Sequence, residues 1–259
     1  MRLKLISCEV FDREMRAVIA RSPNQVDLEF LSMGLHSIGC VGMRERLQAA
    51  LDRVPEGGFD AVVFGYGLCN NGLAGLRART APLVIPRAHD CITLLLGSKE
   101  RYLEYFQNNP GVYFKSTGWI EHSTHDGELQ QLSIAQRSGM YATYEELVAK
   151  YGEDNARFLY DELVNHTKHY GQFTFVEMGV EPDGSFERQA RDEAAQRGWK
   201  YEKVAGDLSL LQRLVDGRWN EEDFLVVPPG SQVVARCDEG IIAAEPVPEP
   251  VPAVFPGAL

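Results

Sequence analysis

The sequence predicts an α/β fold: two Rossmann-like βαβ lobes with mostly parallel sheets facing across a cleft, plus a helical insertion. Three observations predict it. Short, nearly continuous apolar runs such as AVVF (61–64) and PLVI (82–85) read as strands buried on both faces. Amphipathic segments of helical period alternate with those runs, which is the rhythm of βαβ units. That rhythm occurs twice, over 2–67 and 172–230, with FDAVVFGYG and EDFLVVPPG at matching places. A single continuous sheet is the alternative arrangement.

In chain order, LKLISCEV (3–10) is a strand and REMRAVIARS (13–22) a helix stopped by Pro23-Asn24. VDLEFLSM (26–33) is a strand. GMRERLQAALDRV (42–54) is an amphipathic helix closed by Pro55-Glu56-Gly57-Gly58. Strands follow at 59–67 and 81–87, then a helix at 91–109 ended by Pro110-Gly111, and a strand at 112–121. In the second half, 172–179 is a strand, and 185–198 is a helix with Ser185 as N-cap and Gly198 just past its end. A strand at 199–207, a helix at 208–217 and a strand at 223–230 complete it. The expected domains are a first lobe at 1–121 and a helical insertion at 122–171. A second lobe follows at 172–242, then a proline-rich tail at 243–259. Five of the last 14 residues are proline, which suits an extended tail lying on its own surface or on a partner subunit in a homo-oligomer.

At 259 residues the chain is long enough for one large domain or two small lobes. Its net charge of −11 excludes a broad basic face for nucleic acid or for anionic lipid. No stretch approaches the roughly 20 apolar residues of a membrane span. The N-terminus lacks the apolar core of a signal peptide, so the expected location is cytoplasmic. There, five cysteines at uneven spacing are expected as thiols or ligands rather than disulfides.

In an open α/β sheet, ligands bind outside the carboxyl ends of the strands. Cys8, Cys69 and Cys91 each follow a predicted strand closely, and His89 adjoins Cys91. Three thiols on one rim, with or without His89, have the softness for zinc or a [4Fe–4S] cluster, and three protein ligands leave a coordination position open. Each thiol alone reads equally as a small buried hydrophobe. In PRAHDC, Arg87 is a candidate clamp for a small anionic substrate, His89 a ligand or general acid/base, and Asp90 a helix cap. GYGLCNNG allows close backbone approach, which makes Gly65, Tyr66, Gly67 and Asn70 candidate ligand contacts, together with Gly97, Ser98 and Asp207 at other strand and helix ends. It matches neither nucleotide-loop pattern. Asp207 reads equally as a cap. Two H-x-x-H pairs, His122/His125 and His166/His169, read as solvated histidines, and Cys40 and Cys237 as structural or peripheral.

GYGLCNNGL, PLVIPRAHDCITLLLGS, GWIE and GDLSLLQRLVDGRWNEEDFLVVPPG together resemble a family of roughly 250-residue proteins catalogued as a domain of unknown function, over about 3–235. Its members occur in anaerobic bacteria and methanogenic archaea, often encoded beside corrinoid-dependent methyltransferases. The resemblance implies anaerobic one-carbon metabolism, with a corrinoid protein or methyltransferase as a partner, and either an enzyme or a non-catalytic accessory protein. The architecture is also similar to that of quinolinate synthase, which holds a [4Fe–4S] cluster through three cysteines.

Overall fold

A computed structural model describes residues 1–123, 127–138, 140, 142–164 and 169–248. β1 (Arg2–Cys8) leads through a 3-10 turn at Glu9–Phe11 into α1 (Asp12–Ile19). β2 (Gln25–Leu31), a second 3-10 turn (Met33–Ser37) and α2 (Gly39–Asp52) follow, then β3 (Ala61–Gly65) and β4 (Leu83–Pro86). The predicted helix at 91–109 is two helices, α3 (Cys91–Leu96) and α4 (Lys99–Asn108), because Gly97 adopts a left-handed φ of 83° and Ser98 caps the second. The predicted strand at 112–121 is β5 (Val112–Lys115) followed by α5 (Thr117–Glu121): the Ser116 side chain accepts from the Trp119 N–H and starts a helix there.

α6 (Glu128–Leu132), α7 (Ile134–Ser138), α8 (Tyr144–Tyr151) and α9 (Glu153–Leu159) form the helical insertion. α8 begins with a capping box between Thr143 and Glu146, and Gly152 separates it from α9. The second half holds β6 (Gln172–Glu177), α10 (Ser185–Arg197), β7 (Lys200–Ala205), α11 (Ser209–Asp216), β8 (Phe224–Val227), β9 (Ser231–Ala235) and β10 (Ile242–Pro246). Gly198 ends α10 in the left-handed conformation as predicted, but Ser185 is not its cap: Gly184 occupies that place, and Asp183 accepts from the Ser185 N–H at 2.6 Å.

The fold is mixed α/β with mainly parallel pairing. Five strands form one sheet in the order β2-β1-β3-β4-β8, and three form another in the order β5-β6-β7. All neighbours are parallel except β4 with β8 and the β9–β10 hairpin. Two expectations are corrected here. β8 does not complete a second βαβαβ unit; it pairs antiparallel with β4, Leu83 opposite Val227. Its preceding helix, α11, buries Leu210, Leu211, Leu214 and Val215 and packs against α1 and β3, which returns the chain to the larger sheet. β5, expected in the first lobe, pairs with β6 in the smaller sheet.

The tail starts as β10 rather than as an extended proline helix. Its pairing with β9, and the Val233 N–H donated to the Leu76 carbonyl at 2.8 Å, fasten the hairpin to the body. Residues 249–259 lie outside the described residues. One contiguous cluster of buried apolar side chains runs from Leu3, Phe64 and Phe224 in the larger sheet to Phe114 and Val176 in the smaller, and to Met178 just beyond it. Among the described residues no helix is long and apolar enough to cross a membrane.

Candidate functional site

The three thiols stand at the carboxyl ends of adjacent strands. Cys8 is the last residue of β1, Cys69 lies four residues beyond β3, and Cys91 opens α3 after β4. Local chain geometry draws the last two together. Cys69, Asn70 and Asn71 take consecutive left-handed conformations, with φ of 45°, 56° and 62°, and the Gly72 N–H closes the turn on the Cys69 carbonyl at 2.9 Å. Such a run of non-glycine residues is strained backbone. The surrounding loops hold it: the Leu68 N–H donates to the Ala88 carbonyl at 2.7 Å, and the Cys69 N–H to the His89 carbonyl at 2.9 Å. Gly67 permits this approach, since a Cβ there would lie 2.8 Å from the Asp90 backbone. The backbone N–H groups of Gly67 and Cys91 then hydrogen-bond the Cys69 sulfur.

Burial pushes the Cys8 thiol up to about 12, against a hydrogen bond from the Val10 backbone. It also raises Cys69 and Cys91, and there the charge of the neighbouring thiols adds to it: Cys8 acts on Cys69, and Cys69, Asp90 and Cys8 act on Cys91. The three sulfurs therefore share one electrostatic neighbourhood. The Cys8 sulfur lies 3.6 Å from His36 Nε2. Tyr66, 1% exposed, has its ring 6.2 Å from that of His36; its hydroxyl has no hydrogen-bond partner among the described residues, and burial, then Cys8 and Cys69, raise it. Among the described residues, no three His, Cys, Asp or Glu side chains are grouped as a single ion would require.

Several predicted contacts take up structural tasks. The Arg87 guanidinium donates through Nε to the Glu221 carbonyl at 2.9 Å and through Nη1 to the carbonyls of Gly240, at 2.7 Å, and Ile242. It ties the β8 and β10 segments to β4 and does not clamp an anion at the thiol rim. His89 is exposed, and its backbone rather than its ring contacts the Cys69 loop. Gly97 ends α3 and Ser98 caps α4. Asp207 accepts from the Ser209 N–H at 2.8 Å and caps the entry to α11. Asp90 caps α3, accepting from the Ile92 and Thr93 N–H groups. Gly65 is needed by the protein's own packing, because a Cβ there would meet Ser7 Oγ at 2.3 Å. Asn70 is exposed on the left-handed turn. Cys40 and Cys237 are exposed. His122 faces Glu9 at 3.8 Å, His169 is exposed, and His125 and His166 lie outside the described residues.

A pocket of about 740 Å³ adjoins the rim. Cys91 and His36 line it from the larger sheet; β5, Trp119, Tyr170 and Glu193 line it from the smaller. Sequence reasoning missed His36, Lys115 and Trp119. His36 follows the end of β2, so the strand-end rule that found the cysteines applies to it equally. It also missed Glu14 on α1, which is 1% exposed, with neither carboxylate oxygen partnered by a hydrogen-bond donor among the described residues. Burial raises Glu14 to about 7, with Glu181 and Glu121 adding to the rise.

No curated protein and no solved structure matches this chain. The profile of a family described as "Protein of unknown function (DUF1638)" matches residues 30–215, more than two thirds of the chain and a span that contains Cys69, Cys91, the left-handed turn and the pocket. The chain belongs to that family.

Proposed function

We propose that the protein is an iron–sulfur enzyme acting on a small anionic substrate in the pocket beside Cys91, within corrinoid-dependent one-carbon metabolism. The observation that carries this reading is the convergence of Cys8, Cys69 and Cys91 at the ends of three adjacent strands, each raised by burial, with Cys8 adding to the rise of Cys69 and both adding to that of Cys91. Thiols so buried need a cation to ionise, and soft metals supply it. The unpartnered Tyr66 hydroxyl and the N–H groups on the Cys69 sulfur suit the anionic shell of a cluster. A cluster fits better than zinc. One ion holds its sulfurs at ~2.3 Å and demands a tight group, which the described residues lack, whereas a multi-iron cluster takes ligands that stand farther apart.

Three cysteine ligands would leave one iron open to bind and polarise substrate. The chain's own residues do the rest. Lys115 orients the anionic group, the aromatic side chains of the pocket exclude water, and His36, between Cys8 and the pocket, is placed to hold or move a proton. The two-lobe arrangement belongs to the same reading, with the smaller sheet and α5 facing the thiol rim across the pocket.

Anaerobic purification followed by iron, sulfide and zinc analysis tests the proposal. Iron and acid-labile sulfide in matching amounts, with a visible absorption band, are expected. Cys69→Ser or Cys91→Ser should remove both, and Cys237→Ser neither. Well-folded protein carrying no iron would overturn the enzyme reading and leave a non-catalytic accessory of the methyltransferase system.

A further inference from the structure

The walls of the 740 Å³ pocket differ in chemistry from the thiol rim. Four of its fifteen lining residues are Tyr113, Phe114, Trp119 and Tyr170, against 10% aromatic residues in the whole chain. These rings are held in place. Tyr113 meets Tyr170 edge-on at 5.3 Å and Phe173 edge-on at 5.4 Å, and Tyr105 backs Phe114 at 5.4 Å. A preset aromatic wall favours a flat, unsaturated ligand, since stacking contributes beyond burial alone.

The charges on the wall select the sign of that ligand. Lys115 and Glu193 form an ion pair, and Lys115 Nζ lies 4.6 Å over the Phe173 ring. Glu193 is also held by Arg197 at 3.0 Å from behind the wall, so the carboxylate is shared and Lys115 is not its only counter-ion. Among the described residues no arginine lines the pocket, and the glycine loop at 65–72 is not part of its lining. A phosphate would need such a cradle; a carboxylate needs one ammonium group and a few N–H donors. β5 is an edge strand of its sheet among the described residues, and all four of its residues line the pocket. The volume falls within the roughly 300–1,000 Å³ of small-molecule sites, enough for one or two fused rings.

We infer that this pocket binds a planar aromatic carboxylate, its ring against Trp119, Tyr113 and Tyr170 and its carboxylate on Lys115. The inference deepens the proposed function, resting on the reading that this pocket takes the substrate, but it does not depend on the cluster.

Isothermal titration of the full-length chain, prepared with and without iron, tests it with three matched probes: 2-naphthoate, 2-naphthamide and decahydronaphthalene-2-carboxylate. Naphthoate should bind about tenfold more tightly than either of the others. Lys115→Gln should erase the preference over the amide, and Trp119→Leu should reduce the preference over the saturated acid. If either variant fails to fold, the three probes on the native chain decide alone. Equal binding of all three, or binding of none, overturns the assignment. Naphthoate selectivity in protein that never takes up iron would sink the cluster and leave this pocket standing, whereas a cluster-bearing protein blind to naphthoate would do the reverse.

Discussion

The two sheets are built from the same strand–helix rhythm and are held by opposite means. In the larger one, β3 and β4 are buried at every residue, and Ala61, Val63, Phe64, Leu83, Val84 and Ile85 belong to the apolar core. In the smaller one, polar side chains sit against both faces. On one face Tyr105, Gln172, Thr174 and Glu202 form a hydrogen-bonded network, with Thr174 fully buried. On the other, Lys203 answers Glu177 and Glu187, and Lys115 answers Glu193. Among the described residues, the buried polar atoms without hydrogen-bond partners include Tyr66 Oη, Thr93 Oγ1 and both Glu14 oxygens near the larger sheet, and Tyr201 Oη in the smaller. A satisfied network specifies structure, and the proposed site instead gathers buried thiols and the Tyr66 hydroxyl at strand ends.

The contrast breaks most visibly at Phe64, which is fully buried in β3. Phe64→Ala should cost about 3–5 kcal/mol, the loss of transfer energy plus a cavity that close-packed neighbours cannot fill. Urea unfolding measures it, and a cost below about 1 kcal/mol would show the larger sheet to be loosely packed.

Glu14 sharpens the contrast through pH. Its carboxyl titrates near 7 in the folded chain against an ordinary value of 4.5. The folded state therefore binds the extra proton between those values, and stability contributed by this group is present below about 4.5 and lost as pH rises towards 7. The full loss is roughly 3 kcal/mol above pH 7. Glu14→Gln should remove that slope, so that the variant gains on the native chain between pH 5 and pH 8 in parallel urea titrations. Equal slopes in the two proteins would place the proton elsewhere.

How far these features were legible depended on whether they are local. The placement of Cys8, Cys69 and Cys91 on one rim followed from strand period and the strand-end rule alone, and the structure keeps it. The caps at Asp90 and Gly198 are equally local, as is the smaller strand pair β6 and β7. β8 was misassigned because an apolar run carries no mark of its partner or direction; the antiparallel pairing with β4 is set by where α11 docks. Arg87 was misread for a related reason. An arginine beside histidine and cysteine looks like anion chemistry, and nothing within PRAHDC announces that residues 240–242, some 150 positions away, fold back onto its guanidinium. Glu14 was invisible because a glutamate on an amphipathic helix reads as solvated until the α5 and 178–181 segments cover it.

The smallest expected effect lies in the smaller sheet, at Tyr105. Its hydroxyl lies 2.7 Å from Thr174 Oγ1 and 2.8 Å from Glu202 Oε2, and it accepts from Gln172 Nε2 at 3.1 Å. Tyr105→Phe deletes all three contacts, which on a simple count would rival the loss of a core ring. The network predicts otherwise. Gln172 Nε2 has two hydrogens and three acceptors within 3.1 Å; without the phenol, Thr174 at 2.9 Å and Glu202 at 2.8 Å still take both. Thr174 Oγ1 loses the acceptor of its hydrogen but keeps the Gln172 amide as a partner, and the phenyl ring keeps its packing against Phe114. The cost should then be about 1 kcal/mol, that of a net hydrogen bond rather than of an unsatisfied one. A loss of about 3 kcal/mol or more in the same urea assay would mean that the phenol, not Gln172, holds the network, and that the smaller sheet depends on its polar groups as strongly as the larger depends on Phe64.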